Sequence, residues 1–496
     1  MSKHLPLWPG FSYKPHQEVG INWILEREKK SPSGGIICDE MGLGKTIQML
    51  AIVKQEHFTK TLLIAPVAVL LQWEETAKKS GINVLKPKVS GFRQEWVGDI
   101  NPLAAKLYII GYEMAMNRPH LVASTLWSRL ICDEAHRAGP KKNSIHAMIT
   151  KLSAKTKWFL TATPIVNSKS DIVGLLTLLG HPAKNDTLEV TVGECVMARS
   201  MNDLRTSIPD APPLPVVHHL SLPFLTEEER DFYKGISGII VKRWKMLEDE
   251  MEGGQALLKL KLFMRLRQLS LHPQVYIEAR RANGAGARPD WIGTSTKFQA
   301  IKNLITVGVG HKWIVFCHFH SEMEILAREL SLLPNIGKIH TYNGSLSAAG
   351  RAAVLKATHE PSPLTEVLLI QLQSGGVGLN LQHFNRIIFS GPWWTSALME
   401  QAIGRAVRIG QHEVVNIYHL ALIEEEALNI DRYMSKKADE KGTLCREILL
   451  SAWPRAKLCD KPCDKHLQVD AEHLQVDAEH LRAQNPPKEE ATLNKD

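Results

Sequence analysis

The sequence has no apolar run long enough to span a bilayer, which takes about 18 residues or more. No apolar signal core follows its start at Met1-Ser2-Lys3-His4-Leu5-Pro6. It reads as a soluble intracellular protein. Cysteine is scarce and scattered, with seven residues at 38, 132, 195, 317, 445, 459 and 463. Cys38, Cys132 and Cys317 fall in apolar, strand-like runs, where a thiol behaves as a small hydrophobe. That pattern argues for a reducing compartment and against structural disulfides. Cys459, Cys463, His466 and His473 fit no standard zinc spacing. Neither sign of charge dominates: 60 Lys and Arg stand against 52 Asp and Glu, for a formal net charge of +8. A mild basic excess suits a polyanionic partner without requiring one. With 44% apolar and 23% charged residues, the composition is that of a globular protein. Its length suits roughly three domain-sized units.

One stretch organises the rest: Asp39-Glu40-Met41-Gly42-Leu43-Gly44-Lys45-Thr46. Short, apolar Gly35-Ile36-Ile37-Cys38 precedes it, and Ile47 to Val53 comes after it with helix-like spacing. The octet therefore sits on a strand-to-helix turn, which offers backbone N–H groups and a helix N-terminus to an anion. Lys45 can reach the β- and γ-phosphates of a nucleotide, and the Thr46 hydroxyl can hold Mg²⁺. A glycine is missing, because Asp39 stands where the pattern G-x-x-x-x-G-K-[ST] has its first one. Upstream, Lys14-Pro15-His16-Gln17 leads into an amphipathic helix from Val19 to Arg27. Gln17 is either an ordinary exposed side chain or a reader of the adenine edge through its amide.

Strand-like runs occur next at Thr61 to Pro66 and Leu107 to Tyr112, with helical Val69 to Glu75 between them. This order predicts a parallel α/β sheet with right-handed crossovers. The run Trp127 to Cys132 then ends in Asp133-Glu134-Ala135-His136. Ligands of such sheets bind at the C-terminal ends of strands. There Asp133 can hold Mg²⁺ and Glu134 can polarise an attacking water. Thr161 and Thr163 come after the strand at 157–160, placed to link that carboxylate site to a neighbouring domain. From 197 to 295 a Pro-rich stretch and helical patterns predict a helical insertion and linker. One of these patterns, Leu257 to Leu271, carries Lys259, Lys261, Arg265 and Arg267.

A second α/β unit is expected over 296–450, with strands at 312–317, 338–342, 367–370 and 386–389. The glycines of Ser374-Gly375-Gly376-Val377-Gly378 would let backbone approach a phosphate. Gln401-Ala402-Ile403-Gly404-Arg405-Ala406-Val407-Arg408-Ile409-Gly410-Gln411 puts two arginines three apart, on one face if helical. They are either surface charge or fingers that stabilise a transferring phosphoryl group. The tail, 451–496, repeats His466 to Glu472 as His473 to Glu479. It reads as a duplicated short helix or a disordered segment.

In this order Gln17, the octet 39–46, Asp133 to His136, Thr161-Ala162-Thr163 and Gln401 to Gln411 resemble superfamily 2 helicase-like ATPases. The wording is nearest their Swi/Snf branch, whose phrases include Asp39 to Thr46, Leu160 to Pro164, Gly375 to Leu381 and Arg408 to Gln411. Arg265 to Gln268 and Gly391 to Trp394 look most like its RING-bearing repair translocases. Only Cys195 falls between 164 and 310, so no RING zinc cluster is expected there. No histone-reading extension is expected within this length. Val407, Gln373 and Trp394-Thr395-Ser396 depart from the branch's usual residues, at coupling and packing positions.

The resemblance implies two RecA-like domains, 1–196 and 296–450, closing on ATP and Mg²⁺. Gln17 and residues 39 to 46 would hold the nucleotide, and Thr46 and Asp133 the metal. Glu134, Gln401, Arg405 and Arg408 would be catalytic, and Thr161 and Thr163 would couple the site to its partner domain. Gln72, Ser374, Gly375 and Gly376 would touch DNA. The implied activity is tracking along double-stranded DNA as a monomer, displacing nucleosomes or other bound proteins. A strand-separating helicase and a viral enzyme of transcription are the alternatives. The implied location is the nucleus of a eukaryote, or the host-cell interior for a virus.

Overall fold

The computed structural model describes residues 4–55, 60–90, 93–98, 104–181, 185–208, 210–249, 255–284, 288–308, 310–375, 379–424 and 428–454. The tail repeat, with Cys459 and Cys463, lies outside the described residues, as do Gly376 to Gly378.

Two parallel sheets carry the fold. The first contains β1 (Gly34–Ile37), β2 (Lys60–Ala65), β3 (Asn83–Ser90), β4 (Arg93–Val97), β5 (Lys106–Gly111), β6 (Trp127–Asp133), β7 (Ala154–Leu160) and β8 (Val196–Met197). Their spatial order is β4-β3-β5-β2-β6-β7-β1-β8. Only the β3–β4 hairpin at one edge is antiparallel. β1 is buried along its length, so successive residues serve opposite faces: Ile36 joins one apolar core and Ile37 the other. That is the pattern of a parallel strand covered by helices on both sides.

The second sheet contains β9 (Val216–Pro223), β10 (Lys312–Cys317), β11 (Ile336–Tyr342), β12 (Thr365–Gln371), β13 (Arg386–Phe389) and β14 (Asn416–Ile423), ordered β11-β12-β10-β13-β14-β9. β9 corrects the expected boundaries. It lies inside the stretch assigned to a helical insertion, yet it pairs with β14 over eight residues and closes the second sheet. Its alternating burial, with side chains half-exposed every second residue, marks an edge strand, and its paired histidines hide that from a hydrophobic count. The helical part of the insertion is Glu227–Asp249, Gln255–Leu271 and Pro273–Arg281. These helices share a small core with Ile430 and Met434. Arg267, one of the four basic residues of the pattern over 257–271, is buried with its guanidinium 4.4 Å from the Trp393 ring centre.

The chain crosses from sheet to sheet twice. The outward crossing runs from β8 to β9. The return runs along the helix Ile430–Leu449, roughly 30 Å at 1.5 Å per residue. Its end packs Ile448 and Ala452 into the first lobe's core, and Trp453 pairs beside β8 and stacks on Trp23. Residues 451–454 therefore belong with the first lobe and not with the tail. Among the described residues no helix is long and apolar enough to cross a membrane.

Candidate active site between the two lobes

The phosphate-loop octet lies between β1 and the helix Lys45–Gln55, as its flanks predict. Gly42 and Gly44 take φ of +86° and +84°, a left-handed conformation that is cheap only for glycine. A Cβ on Gly44 would stand 2.6 Å from Gln17 Nε2 and would push that amide aside. Lys45 Nζ donates to the loop carbonyl of Asp39 at 2.5 Å. Gln17 lies beneath the loop. Its Oε1 accepts from Lys14 N at 3.1 Å, and its Nε2 lies 3.5 Å from Leu43 O. His16 Nε2 reaches the same carbonyl at 2.9 Å. Burial lowers the His16 pKa, so the neutral ring donates there.

Two members of the octet enter by another route. The Asp39 carboxylate is fully buried and is gripped by Arg199, with Nε to Oδ1 at 2.9 Å and Nη2 to Oδ2 at 2.5 Å. Gln48 Nε2 adds a third donor at 3.2 Å. Glu40 accepts from Met201 N at 2.5 Å. Their side chains thus shape the loop from behind. Arg199 was not legible as a site residue, because its partner is 160 positions away in the chain.

Asp133 ends β6 and Glu134 comes next with φ +49°, ψ +48°, a left-handed backbone that costs about 1–3 kcal/mol for a residue with a side chain. The sharp turn sets the two carboxylates apart. Asp133 Oδ2 accepts from Trp73 Nε1 at 2.7 Å and Oδ1 from Glu134 N at 2.9 Å. Tyr112 hydroxyl donates to the Asp133 carbonyl at 2.8 Å. Burial, then the neighbouring Glu134 charge, pushes the Asp133 carboxyl up to about 6. Burial also raises Glu134, against the pull of Lys45 and Arg405. Adjacent half-buried carboxylates at this strand end are a site that a divalent cation would stabilise. Asp133 and the Thr46 hydroxyl supply the hard oxygens Mg²⁺ takes. The residues present fit that ion.

His136 Nδ1 lies 3.2 Å from Thr161 Oγ1 and 3.5 Å from Glu134 Oε2. Burial pushes this imidazole down to about 4, so it is neutral near pH 7. Thr161 Oγ1 also accepts from Thr163 N at 3.1 Å, and Thr161 N donates to Ile37 O at 3.0 Å. The two threonines thus connect β1, β7 and the carboxylate turn.

The second lobe supplies the opposite wall. Gln401 Nε2 donates to Glu134 Oε2 at 3.2 Å, across 267 positions of sequence. Gln401 is on the helix Ser396–Ile403, which stops there. Arg405 and Arg408 come beyond it on turns, so the shared helical face that their spacing would give in a helix does not form. Gly404 caps that helix and lies against the phosphate loop, where a Cβ would be 3.0 Å from Met41 Cβ. A Cβ on Gly42 would be 3.3 Å from Arg408 Cβ. Leu43 packs with Met201 and Ile409. Burial lowers Arg405 to about 10, with Glu134 pulling it back up. An arginine so placed still carries its charge, beside the carboxylate expected to orient water.

Gln72 is exposed on the helix Val67–Lys79, next to Trp73. Gly375 ends the short helix Leu372–Gly375, which also holds Ser374. Gly376 is outside the described residues.

Residues 16–190 match the model of the SNF2-related domain, and residues 296–410 match that of the helicase conserved C-terminal domain. The chain is 27% identical to the probable global transactivator of Orgyia pseudotsugata multicapsid polyhedrosis virus, over 87% of this chain and 90% of that one. It is also 27% identical to the probable ATP-dependent DNA helicase CHR23 of Arabidopsis thaliana, over 90% of this chain and 44% of that one. It is 24% identical to the TATA-binding protein-associated factor mot1 of Aspergillus fumigatus, over 91% of this chain and 28% of that one. The chain thus spans less than half of these two cellular relatives. The Sulfolobus solfataricus SWI2/SNF2 ATPase core, solved in complex with dsDNA, is 21% identical with a TM-score of 0.39, over 91% of this chain and 99% of that one.

Proposed function

The chain belongs to the SNF2-related, helicase-like ATPases, and we propose that it is a motor that tracks along double-stranded DNA and remodels protein–DNA complexes. The observation that carries this reading is the split site. Glu134 of the first lobe is held at 3.2 Å by Gln401 of the second, and Arg408 of the second lobe abuts Gly42 of the phosphate loop. A site divided in this way turns over only when the lobes are together, so anything that moves the lobes gates hydrolysis.

In this mechanism Lys45 neutralises the β- and γ-phosphates, and the turn at Gly42 and Gly44 aims backbone N–H groups at them. Mg²⁺, held by Thr46 and Asp133, would supply charge neutralisation on the phosphate oxygens. Glu134 orients water for in-line attack, and its hydrogen bond from Gln401 fixes the carboxylate. Arg405 and Arg408 stabilise charge on the transferring phosphoryl group, a contribution of ~10³–10⁵ in rate for arginine fingers. Duplex DNA lies across both lobes, near Gln72 on the first and Ser374 to Gly376 on the second. Contacts there go to phosphates, so binding weakens with salt and is largely independent of sequence. Each cycle of closure and release then advances the enzyme along the duplex as a monomer. The match to a viral transactivator over most of its length supports a compact enzyme acting where DNA is occupied by transcription proteins.

Hydrolysis measured with duplex, single-stranded, forked and nucleosomal DNA tests this. Strongest stimulation by duplex, with displacement of a third strand from a triplex and no separation of the duplex, is expected. Strand separation instead establishes the helicase alternative. Equal rates with and without DNA refute the motor.

A further inference from the structure

Both crossings between the lobes converge on one short segment of the first lobe. The outward crossing leaves at β8. The return arrives at Trp453, whose N–H donates to Val196 O at 2.8 Å and whose carbonyl accepts from Ala198 N at 2.9 Å. The next residue is Arg199. Its side chain, only 3% exposed, is the one that grips Asp39. It also donates through Nη1 to His16 O at 2.6 Å and through Nη2 to Gln48 Oε1 at 3.0 Å. Its own carbonyl accepts from Glu40 N at 2.9 Å. One residue thus ties the lobe crossing to the helix Pro15–Glu28, which carries His16 and Gln17, to the phosphate loop and to the helix after it.

A simple counterion for Asp39 would need fewer contacts than these. The loop pattern also needs no charge at position 39, since its usual residue there is glycine. Placing a carboxylate and a guanidinium together in the interior is costly, and such pairs are best attested where they fix one arrangement of parts. The part fixed here is the junction of loop and crossing. Just beyond Arg199, Met201 packs on Leu43 together with Ile409 of the second lobe. A shift of the second lobe is therefore felt on both sides of Arg199, through the outward chain and through Trp453.

We propose that Arg199 is a positioning residue that transmits lobe placement to the phosphate loop, so that DNA-driven closure sets the loop's hold on ATP. The inference rests on the DNA-motor reading above. It makes Asp39 the receiving end of a link, and it explains why the loop departs from glycine at that position.

The test is the ratio of kcat with duplex DNA to kcat without it, measured within each variant. The double variant Asp39→Gly/Arg199→Leu restores the ordinary loop pattern and removes both buried charges. With its thermal midpoint close to that of the unaltered protein, its ratio is expected to fall about tenfold, inside the usual span of site-to-site coupling. Arg199→Lys is the second variant. It keeps a cation opposite Asp39, but one ammonium cannot reproduce the planar fork that holds Asp39, His16 and Gln48 together. Its ratio is expected to fall by a smaller factor, and it decides the matter alone where the double variant does not fold. An unchanged ratio in folded variants, with the unaltered protein stimulated, overturns the link and leaves Arg199 a counterion. A ratio near one in the unaltered protein overturns the motor reading, and the link with it.

Discussion

The two walls of the cleft differ in how they are held. On the first lobe the phosphate loop extends from a fully buried strand, and Asp133 ends another. Asp39 and Asp133 there each have at least two described donors, from Arg199, Gln48, Trp73 or a backbone N–H. On the second lobe Gln401 lies in the last turn of its helix, and Arg405 and Arg408 stand on turns beyond it. The first wall carries the phosphate loop and the strand-end carboxylates. The second is tied to its own lobe, Leu381 N donating to Arg405 O and Gln382 Nε2 to Ile409 O, and meets the first through Gly404 on Met41, Arg408 on Gly42 and Gln401 on Glu134. Substitutions on the first wall should therefore damage nucleotide binding, and those on the second should damage turnover with binding kept.

Lys45→Ala is the largest expected effect. It removes the cation of the first wall, and DNA-stimulated hydrolysis should fall below detection together with ATP affinity. Retained hydrolysis in a pure preparation would remove Lys45, and with it the octet, from the site. Arg408→Ala comes next. It should lower kcat by about 10³ or more, the lower end of what arginine fingers supply, while equilibrium binding of ATP stays near its original value. Loss of nucleotide binding would erase the contrast between the walls.

The same contrast explains what could be read from the amino acids. The first wall was legible because its residues are neighbours in sequence. Apolar β1 runs straight into Asp39 to Thr46, and apolar β6 runs straight into Asp133-Glu134. The second wall was legible in residue type but not in shape. Gln401 to Gln411 keeps helix-like apolar spacing, yet the helix ends at Ile403, and the segment beyond it is held by residues well upstream, Leu381 N donating to Arg405 O and Gln382 Nε2 to Ile409 O. Contacts between distant segments carried no local signal at all. Arg199 reads as one more basic residue until Asp39 meets it, and β9 reads as part of a helical insertion until β14 pairs with it. Trp453 looks like the start of a tail until its backbone joins β8.

The smallest effect sharpens the comparison most. Gly404→Ala keeps an ordinary backbone, since Gly404 has φ −64° and ψ −3°, where alanine is at ease. Its new Cβ would meet Met41 Cβ at 3.0 Å, on the far side of the cleft. The strain therefore falls on closure and not on folding of either lobe. A cost near 1 kcal/mol at closure would slow turnover by about fivefold, with thermal midpoint and ATP affinity little changed. Gly42→Ala offers the control. Its φ of +86° strains alanine whether or not the lobes meet, so nucleotide binding should weaken along with turnover. If Gly404→Ala instead left kcat intact in the presence of duplex DNA, the working enzyme would hold its lobes further apart at this point than Met41 and Gly404 stand here.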